Sequence, residues 1–515
     1  MIPPLFRVRK RAGARKNYAI QMACKFSAAA LAFMPIIQTT RYTLMSKENL
    51  PSYLAEVKPN PESNRAPWYK NTAPAYAGII LWFVFWQNMV NHQALGGGLS
   101  HGILYPIIGV VVGAMLCYCF FYKIPAMFGM KTGLPLYVIG SSIFGTKGGI
   151  VMPGLLMGLL QFGWVGVNIF GSSWLIAKCI AGDAAPSDAL VWGIMAVWGV
   201  AATLMGLVGI KYVAKISTYL PLIPLVILLV LIIKTIGTVG DFNSESFMEL
   251  AKAKEAAKAA AAGSAPGLAE LTPFGVVATI ITIIVGFYAT AGAAGTDFGT
   301  AARNESDVRL GGIVGVSIAM IFTGVAAVII VAGAYGNPET AMSLAGHGMP
   351  MDVTIVMNSV MGSGAGRVCM LLLALAAFPA ACFSAMIAAN SFKTMLPNVN
   401  ANLSVSIGGI VAIILAVTGI AGDAVVVFGF IGASFGPICG AMYIDYFANG
   451  KKWSGPREGV NPAGWLAWAV GFIVGVLPNF GVNIPMSPVA AFLAGAIVYA
   501  ACVKTGLQSK LVELK

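Results

Sequence analysis

The sequence predicts an all-α membrane protein with twelve transmembrane helices. Of its 515 residues, 58% are hydrophobic and only 10% are charged, whereas a soluble globular domain carries about 25% charged residues. The apolar residues form blocks of roughly 20, the length that crosses a bilayer core as a helix. Backbone groups in lipid must pair internally, which restricts spanning structures to helices and closed barrels. Because the blocks lack the polar–apolar alternation of barrel strands, we predict helices.

The predicted spans form one transmembrane domain, residues 71–506. A basic N-terminal tail, residues 1–70, precedes it, and a C-terminal tail, residues 507–515, follows it. The stretch 241–271 is rich in Ala, Lys and Glu and is predicted to be an extracellular loop with a short exposed helix. The other long connection, 337–364, is predicted to cover or partly re-enter an outer vestibule. The predicted spans lie near residues 74–98, 102–123, 150–178, 189–210, 217–236, 273–297, 310–335, 367–392, 404–420, 424–447, 462–480 and 485–504.

The net charge of +13 does not indicate a nucleic-acid partner, because the charge lies in tails and short loops. Residues 1–70 hold 12 Lys or Arg and three Glu. Beyond residue 70, the loops on the N-terminal side and the C-terminal tail hold 14 Lys or Arg, against six on the other side. Cytoplasmic loops carry the excess of positive charge. We therefore expect both termini in the cytoplasm, the protein in the plasma (inner) membrane, and the lipid bilayer as a partner.

The first 44 residues do not resemble the rest of the chain. The basic run RVRKRAGARK precedes a weakly apolar stretch at 19–37, which Lys25 interrupts. This order is typical of a signal peptide, but no A-x-A-type cleavage site follows. The sequence favours translation starting at Met45 rather than at Met1.

The first span carries an unusual number of polar side chains. Gln87, Asn88, Asn91, His92 and Gln93 lie close together near its end. Polar side chains at membrane depth face protein or water and often mark a substrate or ion pathway. We therefore include Asn88 and Asn91 among the predicted substrate-binding residues.

The sixth span contains the glycine-rich stretch GFYATAGAAGTDF, from Gly286 to Phe298. Glycines weaken a helix, so this stretch is predicted to unwind. Spans one and six are five apart, and interrupted helices at matching positions of two halves indicate an inverted-repeat transporter with a site at the midplane. The alternative is close helix packing through small residues, which fits the spacing of Gly432, Gly436 and Gly440 better.

The third span places Gln161, Trp164 and Asn168 on one helical face, because they are three and four residues apart. An indole stacks on a flat ring, and an amide offers a donor and an acceptor to its edge. Tyr288 and Thr290 of the sixth span would supply the opposite aromatic wall and a hydroxyl. This pattern predicts a site for a flat polar heterocycle. It fits equally well a Trp164 packed in the core, with amides that bridge helices.

Four stretches occur in an order and spacing that resemble the cytosine/purine permeases of the nucleobase:cation symporter-1 family. They are LGGGLSHGILYPIIGVVVGAM; FGMKTGLPLYVIGSSIFGTKG followed by LLMGLLQFGWVGVNIFG; VGFYATAGAAGTDF; and FIGASFGPICGAMYIDYFANGKKW. The resemblance runs from about residue 67 to 505. It implies a LeuT-like five-plus-five inverted repeat, with broken helices 1 and 6 and two extra helices.

The resemblance also implies a nucleobase held between two aromatic rings. Trp164 would be the stacking ring and Gln161 the amide that reads the ring edge. Tyr288 matches the second aromatic residue. Thr290 and the backbone near Ala291 match the polar contacts of the broken sixth span. The implied function is import of cytosine, a purine or a related heterocycle by alternating access.

The eighth span departs from the sodium-coupled members of this family. Ala377, Ala380 and Ala381 align with positions that supply oxygen ligands there, and a methyl group cannot coordinate a hard cation. Either the register shifts, with Ser384 as the nearest hydroxyl, or the sodium site is absent. The coupling cation is therefore H⁺ or Na⁺, and His92 is a candidate proton carrier because imidazole titrates near neutral pH. The alternative is a His92 that only donates to a carbonyl.

No cofactor, resident metal or catalytic residue is predicted. The chain has no HExxH, GxSxG or Walker motif, so we expect no enzyme. Two other functions fit the sequence. The first is an amino-acid or amine carrier of the same fold, whose site needs neither Trp164 nor Gln161. The second is a non-transporting sensor.

Overall fold

A computed structural model describes residues 42–45, 49–90, 94–182, 186–208, 219–261, 263, 266–346 and 349–514. Helices make up most of this part of the chain. In its first half they are α1 (Ser52–Ala55), α2 (Thr72–Ile80), α3 (Phe83–Gln87), α4 (Leu104–Thr132), α5 (Leu136–Ile139), α6 (Ser141–Phe144), α7 (Ile150–Ala181), α8 (Asp188–Val208), α9 (Leu222–Thr235) and α10 (Ser244–Ala261). In its second half they are α11 (Pro273–Ala293), α12 (Gly295–Gly299), α13 (Glu305–Gly336), α14 (Pro338–Gly346), α15 (Val353–Met361), α16 (Ser363–Met395), α17 (Ala401–Val417), α18 (Ala424–Ala448), α19 (Pro462–Val476) and α20 (Ser487–Lys504).

Ten helices among the described residues are long and apolar enough to cross a membrane. Two shorter elements account for the remaining predicted crossings. The ninth predicted span is the apolar helix α17. The first predicted span consists of α2 and α3, which are separated by two residues. The chain is therefore a multi-pass helical membrane protein, as predicted.

The membrane helices pack as two groups. Spans three, four, eight and nine (α7, α8, α16 and α17) contact one another, with α7 lying along α16. Spans one, two, six and seven form the second group, in which α11 packs on α4, α4 on α13, and α13 on α2. Span ten (α18) lies beside α11 and packs mainly on α19 and α20. We call the first set the scaffold group and the second the bundle group.

Close approach of α18 and α20 depends on the glycines spaced by four residues. A side chain at Gly432 would collide with the ring of Pro488. Side chains at Gly436 and Gly440 would collide with the α20 backbone, at Pro488 and Phe492. The packing role assigned to these three glycines is confirmed.

The sixth span is interrupted later than the glycine pattern predicts. Residues from Gly286 to Ala293 stay helical, and the interruption is the single turn residue Ala294, between α11 and α12. The glycines serve packing instead, because a side chain at Gly286 would meet the backbone of Phe428 and one at Gly292 would meet Phe121. The predicted interruption between Gly286 and Phe298 is therefore present, but it is confined to Ala294 and does not extend through the glycines.

Two helical connections lie outside the membrane spans. The stretch 241–271 contains α10, whose first turn is anchored where the Phe247 ring meets Tyr335, with centroids 4.9 Å apart. The connection 337–364 contains α14 and α15, and α15 packs on α3 and α16. It therefore covers the later half of the interrupted first span.

The two strands join the ends of the described chain. β1 (Tyr42–Met45) pairs in parallel with β2 (Leu511–Leu514), with Tyr42 opposite Leu511. Both ends therefore lie on one side of the helices, as an even number of crossings requires. The cytoplasmic identity of that side remains a prediction, and so does the start at Met45, because residues 1–41 lie outside the described part.

Candidate functional site

The interruption of the first span exposes backbone groups in the middle of the protein. Helix α2 ends at Ile80, and Trp82 has an extended backbone, with φ −60° and ψ 132°, before α3 begins. A helix end leaves carbonyl groups without an intrahelical partner. One of them, the Leu81 carbonyl, accepts a hydrogen bond from the indole N–H of Trp86 at 3.1 Å. The break lies at Leu81 and Trp82, before the polar cluster of the first span, which begins at Gln87.

Trp164 lies at the junction between the scaffold and bundle groups. Its indole N–H donates a hydrogen bond to the hydroxyl oxygen of Thr290, at 3.1 Å. Its ring meets Phe287 edge-on at 5.0 Å, Phe428 at 5.4 Å with the planes 32° apart, and Trp82 at 5.8 Å. Trp82, Trp164, Phe287 and Phe428, which we call the aromatic cluster, come from spans one, three, six and ten.

Tyr288 is not the aromatic residue that faces Trp164. Its ring contacts Tyr76 of α2, with centroids 5.7 Å apart, and the Tyr76 hydroxyl donates to the carbonyl of Ala291 at 2.8 Å. Residues three apart share a helical face, so Phe287 and Thr290 face Trp164, whereas Tyr288 and Ala291 face α2. The i, i+3 spacing of Phe287 and Thr290 is the feature of the sequence that could have identified this face. The ring of the sixth span that contacts Trp164 is therefore Phe287 and not Tyr288, and it meets the indole edge-on.

The two amides of the third span differ in their partners. Asn168 donates from its side-chain nitrogen to the carbonyl of Ala377, at 2.8 Å, and its oxygen accepts from the Trp198 indole at 3.1 Å. Asn168 therefore joins α7 to α16 and α8. Gln161 is also buried, but within the described part of the chain its one hydrogen bond is a contact of 3.5 Å from its nitrogen to the sulfur of Met157. Of the two, Gln161 is the amide with unused hydrogen-bonding capacity.

The polar cluster of the first span is described only in part. Asn88 is buried, and its side-chain nitrogen donates to the Val84 carbonyl one turn earlier, at 2.6 Å. Asn91 and His92 lie outside the described residues. Their predicted roles in substrate binding and proton coupling remain predictions.

Three solved structures share the architecture over nearly their whole length, whereas no family model and no curated protein matches the chain. The inward-facing conformation of Mhp1 is 16% identical, covers 91% of this chain and 95% of its own, and superposes with a TM-score of 0.62. The closed conformation of Mhp1 is described as a nucleobase-cation-symport-1 family transporter with bromovinylhydantoin bound. It is 16% identical, covers 87% of this chain and 93% of its own, and superposes with a TM-score of 0.57. A Na⁺-coupled sialic acid symporter in a substrate-bound outward-open state is 14% identical, covers 97% of this chain and 99% of its own, and superposes with a TM-score of 0.52.

The chain has a LeuT-like fold. The predicted five-plus-five repeat with interrupted first and sixth helices is therefore confirmed. In this fold, the aromatic cluster lies beside the break of the first helix, where spans from both groups meet.

The eighth span of the LeuT-like fold is α16, and it presents methyl groups to the interior. Ala377 and Ala381 are buried, and Ala380 is partly buried. The Ala377 carbonyl already accepts the bond from Asn168. Ser384 lies further along the same helix and is partly buried. A hard cation needs oxygen ligands, so the three alanine side chains contribute none.

We expect Asn168→Ala to act on stability. The change removes the bond to the Ala377 carbonyl and leaves the part-buried Trp198 N–H without its acceptor, which is expected to lower the free energy of unfolding by about 2 kcal/mol. Titration of the purified protein with a denaturing detergent measures this change. Trp198→Phe, which removes only the bond from the indole to Asn168, should cost about half as much. A variant that keeps wild-type stability but loses substrate binding would instead place Asn168 in the binding site.

Proposed function

We propose that the protein is a secondary active transporter that imports a nucleobase or a related planar heterocycle by alternating access. The observation that carries this proposal is the buried Trp164 ring, which meets rings of the bundle group at the centre of a LeuT-like fold. An indole binds a flat ring by stacking. The proposal is supported by the likeness to Mhp1, a transporter described with bromovinylhydantoin bound, which is itself a planar ring compound.

The bound ring is proposed to lie between Trp164 and Phe428. The planes of these two rings are only 32° apart, the most nearly parallel of the pairs that Trp164 makes. A sandwiched ring needs about 7 Å between its neighbours, since carbon atoms pack 3.5–4.0 Å apart. The centroids are 5.4 Å apart. Phe428 must therefore move away from Trp164 when substrate enters. It then packs on the bound ring when the tenth span closes over the substrate.

The polar contacts are proposed to come from the third and sixth spans. Gln161 has a donor and an acceptor available for the edge of the ring. The Thr290 hydroxyl, already an acceptor for Trp164, has a proton that it can donate to the substrate. Tyr288 and the Ala291 backbone are proposed to act less directly, because they face α2. We assign Asn168 to joining helices, and Asn88 and Asn91 stay candidate substrate-binding residues.

Transport is proposed to couple to H⁺ or Na⁺. The two helix groups supply the parts for alternating access, in which the bundle group rocks against the scaffold group around a midplane site. The aromatic cluster spans that junction, so its contacts change when the groups move. His92 is the proposed proton carrier, and the alanines of α16 argue against a sodium site that uses their side chains. Small-molecule transport in the plasma membrane, without enzyme activity, is the function proposed here.

The test is uptake of radiolabelled cytosine, adenine and uracil into proteoliposomes, with a sodium gradient, a pH gradient or neither. We expect accumulation of at least one base, driven by one of the two gradients. His92→Gln should remove the response if the pH gradient drives uptake. Competition by amino acids and by sialic acid in place of the bases would support the carrier alternative. Binding of a base without flux would support a sensor.

A further inference from the structure

Two tryptophans of the first span lie at its break, and their indole N–H groups differ. Trp86 is fully buried and its N–H donates to the Leu81 carbonyl, so this ring stabilises the broken helix. Trp82 is 8% exposed, and its N–H makes no hydrogen bond to any residue that the structure describes. A buried donor without a partner costs about 1–3 kcal/mol of stability. Such a group calls for an explanation, because nearly all buried polar groups are paired.

The unpaired donor belongs to a ring of the aromatic cluster. Trp82 contacts Trp164 at 5.8 Å and Phe287 at 6.1 Å, and its own backbone forms the break between α2 and α3. Trp82 is therefore fixed beside the ring that is proposed to stack on the substrate. The Tyr288 hydroxyl is also buried without a hydrogen bond of normal geometry, but its ring contacts Tyr76 and not the cluster.

We propose that the Trp82 indole N–H donates a hydrogen bond to an acceptor on the edge of the bound ring. This inference rests on the proposed function and adds a rule for its substrate. Tryptophan is a donor only, so the rim of the substrate must offer a carbonyl oxygen or an unprotonated ring nitrogen at this point. A site that contains an unpaired buried donor selects against analogues that lack the acceptor, because they leave the donor unpaired. Trp82 is thus a specificity-determining residue.

The experiment compares ligands that differ in one acceptor. Adenine is paired with its 1-, 3- and 7-deaza analogues, and uracil with 2-thiouracil and 4-thiouracil, whose sulfur is a weaker acceptor. Inhibition constants are measured for the wild type and for Trp82→Phe, which keeps an aromatic ring but removes the N–H. We expect one analogue to bind the wild type about tenfold more weakly than its parent base. Trp82→Phe should bind both equally, at the affinity of the weaker ligand.

Two control variants separate this effect from packing. Trp192→Phe makes the same substitution at a position on α8 that is 51% exposed on the outside of the helices, and it should keep the wild-type preference. Trp86→Phe removes the bonded indole N–H, so it should lower thermal stability without removing the preference between parent and analogue. Equal weakening of parent and analogue by Trp82→Phe, or an unchanged ratio of their constants, would overturn the inference. A wild type that binds none of these bases overturns the proposed function, and the inference with it.

Discussion

Replacing Trp164 by alanine is expected to reduce uptake of the transported ring compound by about 10- to 100-fold. Stacking of a base on an aromatic side chain contributes about 1–3 kcal/mol, and each 1.4 kcal/mol changes affinity tenfold. The change also removes the hydrogen bond to Thr290 and leaves Phe287 and Phe428 facing a cavity. Initial uptake rates and inhibition constants in proteoliposomes measure the effect.

Two variants show whether the loss comes from the ring itself. Trp164→Phe keeps a smaller stacking surface and removes the N–H donated to Thr290, so its uptake should lie between those of the wild type and Trp164→Ala. Trp192→Ala removes an indole that is 51% exposed, and it should transport like the wild type. If Trp164→Ala and Trp192→Ala transport equally well, the ring of Trp164 does not hold the substrate.

The largest loss of stability is expected from Arg457→Met. Arg457 is 4% exposed, and it donates from Nε to the Ser142 carbonyl at 3.0 Å and from Nη1 to the Ser509 carbonyl at 2.8 Å. Its charge also acts on Asp445, which is fully buried at the end of α18 and accepts a hydrogen bond from Tyr499 at 3.1 Å. Hydrogen bonds from a charged group contribute about 1.5–3 kcal/mol each, so removing both of them costs roughly 3–5 kcal/mol. We expect a loss of about that size in the free energy of unfolding, measured by detergent titration.

A matched variant lies in the same loop. Lys452 is exposed, and Lys452→Met also removes one positive charge, so it should leave stability within about 0.5 kcal/mol of the wild type. Arg457→Lys keeps the charge but not the planar fork of donors, and it should fall between the two. Equal stability of Arg457→Met and Lys452→Met would show that the buried network contributes little.

The architecture follows from properties that local sequence carries. Long apolar blocks with few charges define the spans, and the amides near Gln87 and Asn88 indicate a part of the first span that does not face lipid, in agreement with the burial of Asn88. The buried face of the third span follows from helical spacing alone, since Gln161, Trp164 and Asn168 are all buried. In these cases the sequence of a single helix is enough to predict its membrane span or its buried face.

The neighbours of Trp164 depend on how separate spans meet. Phe428 lies far along the chain, in the tenth span, and no spacing in the sequence connects it with Trp164. The partner of Asn168 is a backbone carbonyl, which every residue has, so its amide could not be assigned to helix joining or to substrate binding beforehand. Asp445 and Arg457 were visible as charges near a span end, but their burial depends on the fold of the following loop.

The pairing of α7 with α16 has a consequence for measuring motion in this protein. The two helices are fastened near their middles by Asn168 on the Ala377 carbonyl, and near one end by the Ser391 hydroxyl on the Gly154 carbonyl. Neither helix can slide along its partner without breaking both bonds. Spin labels or fluorophores attached to this pair therefore provide a fixed reference. Distances from them to labels on α2 and α11 measure how far those helices move.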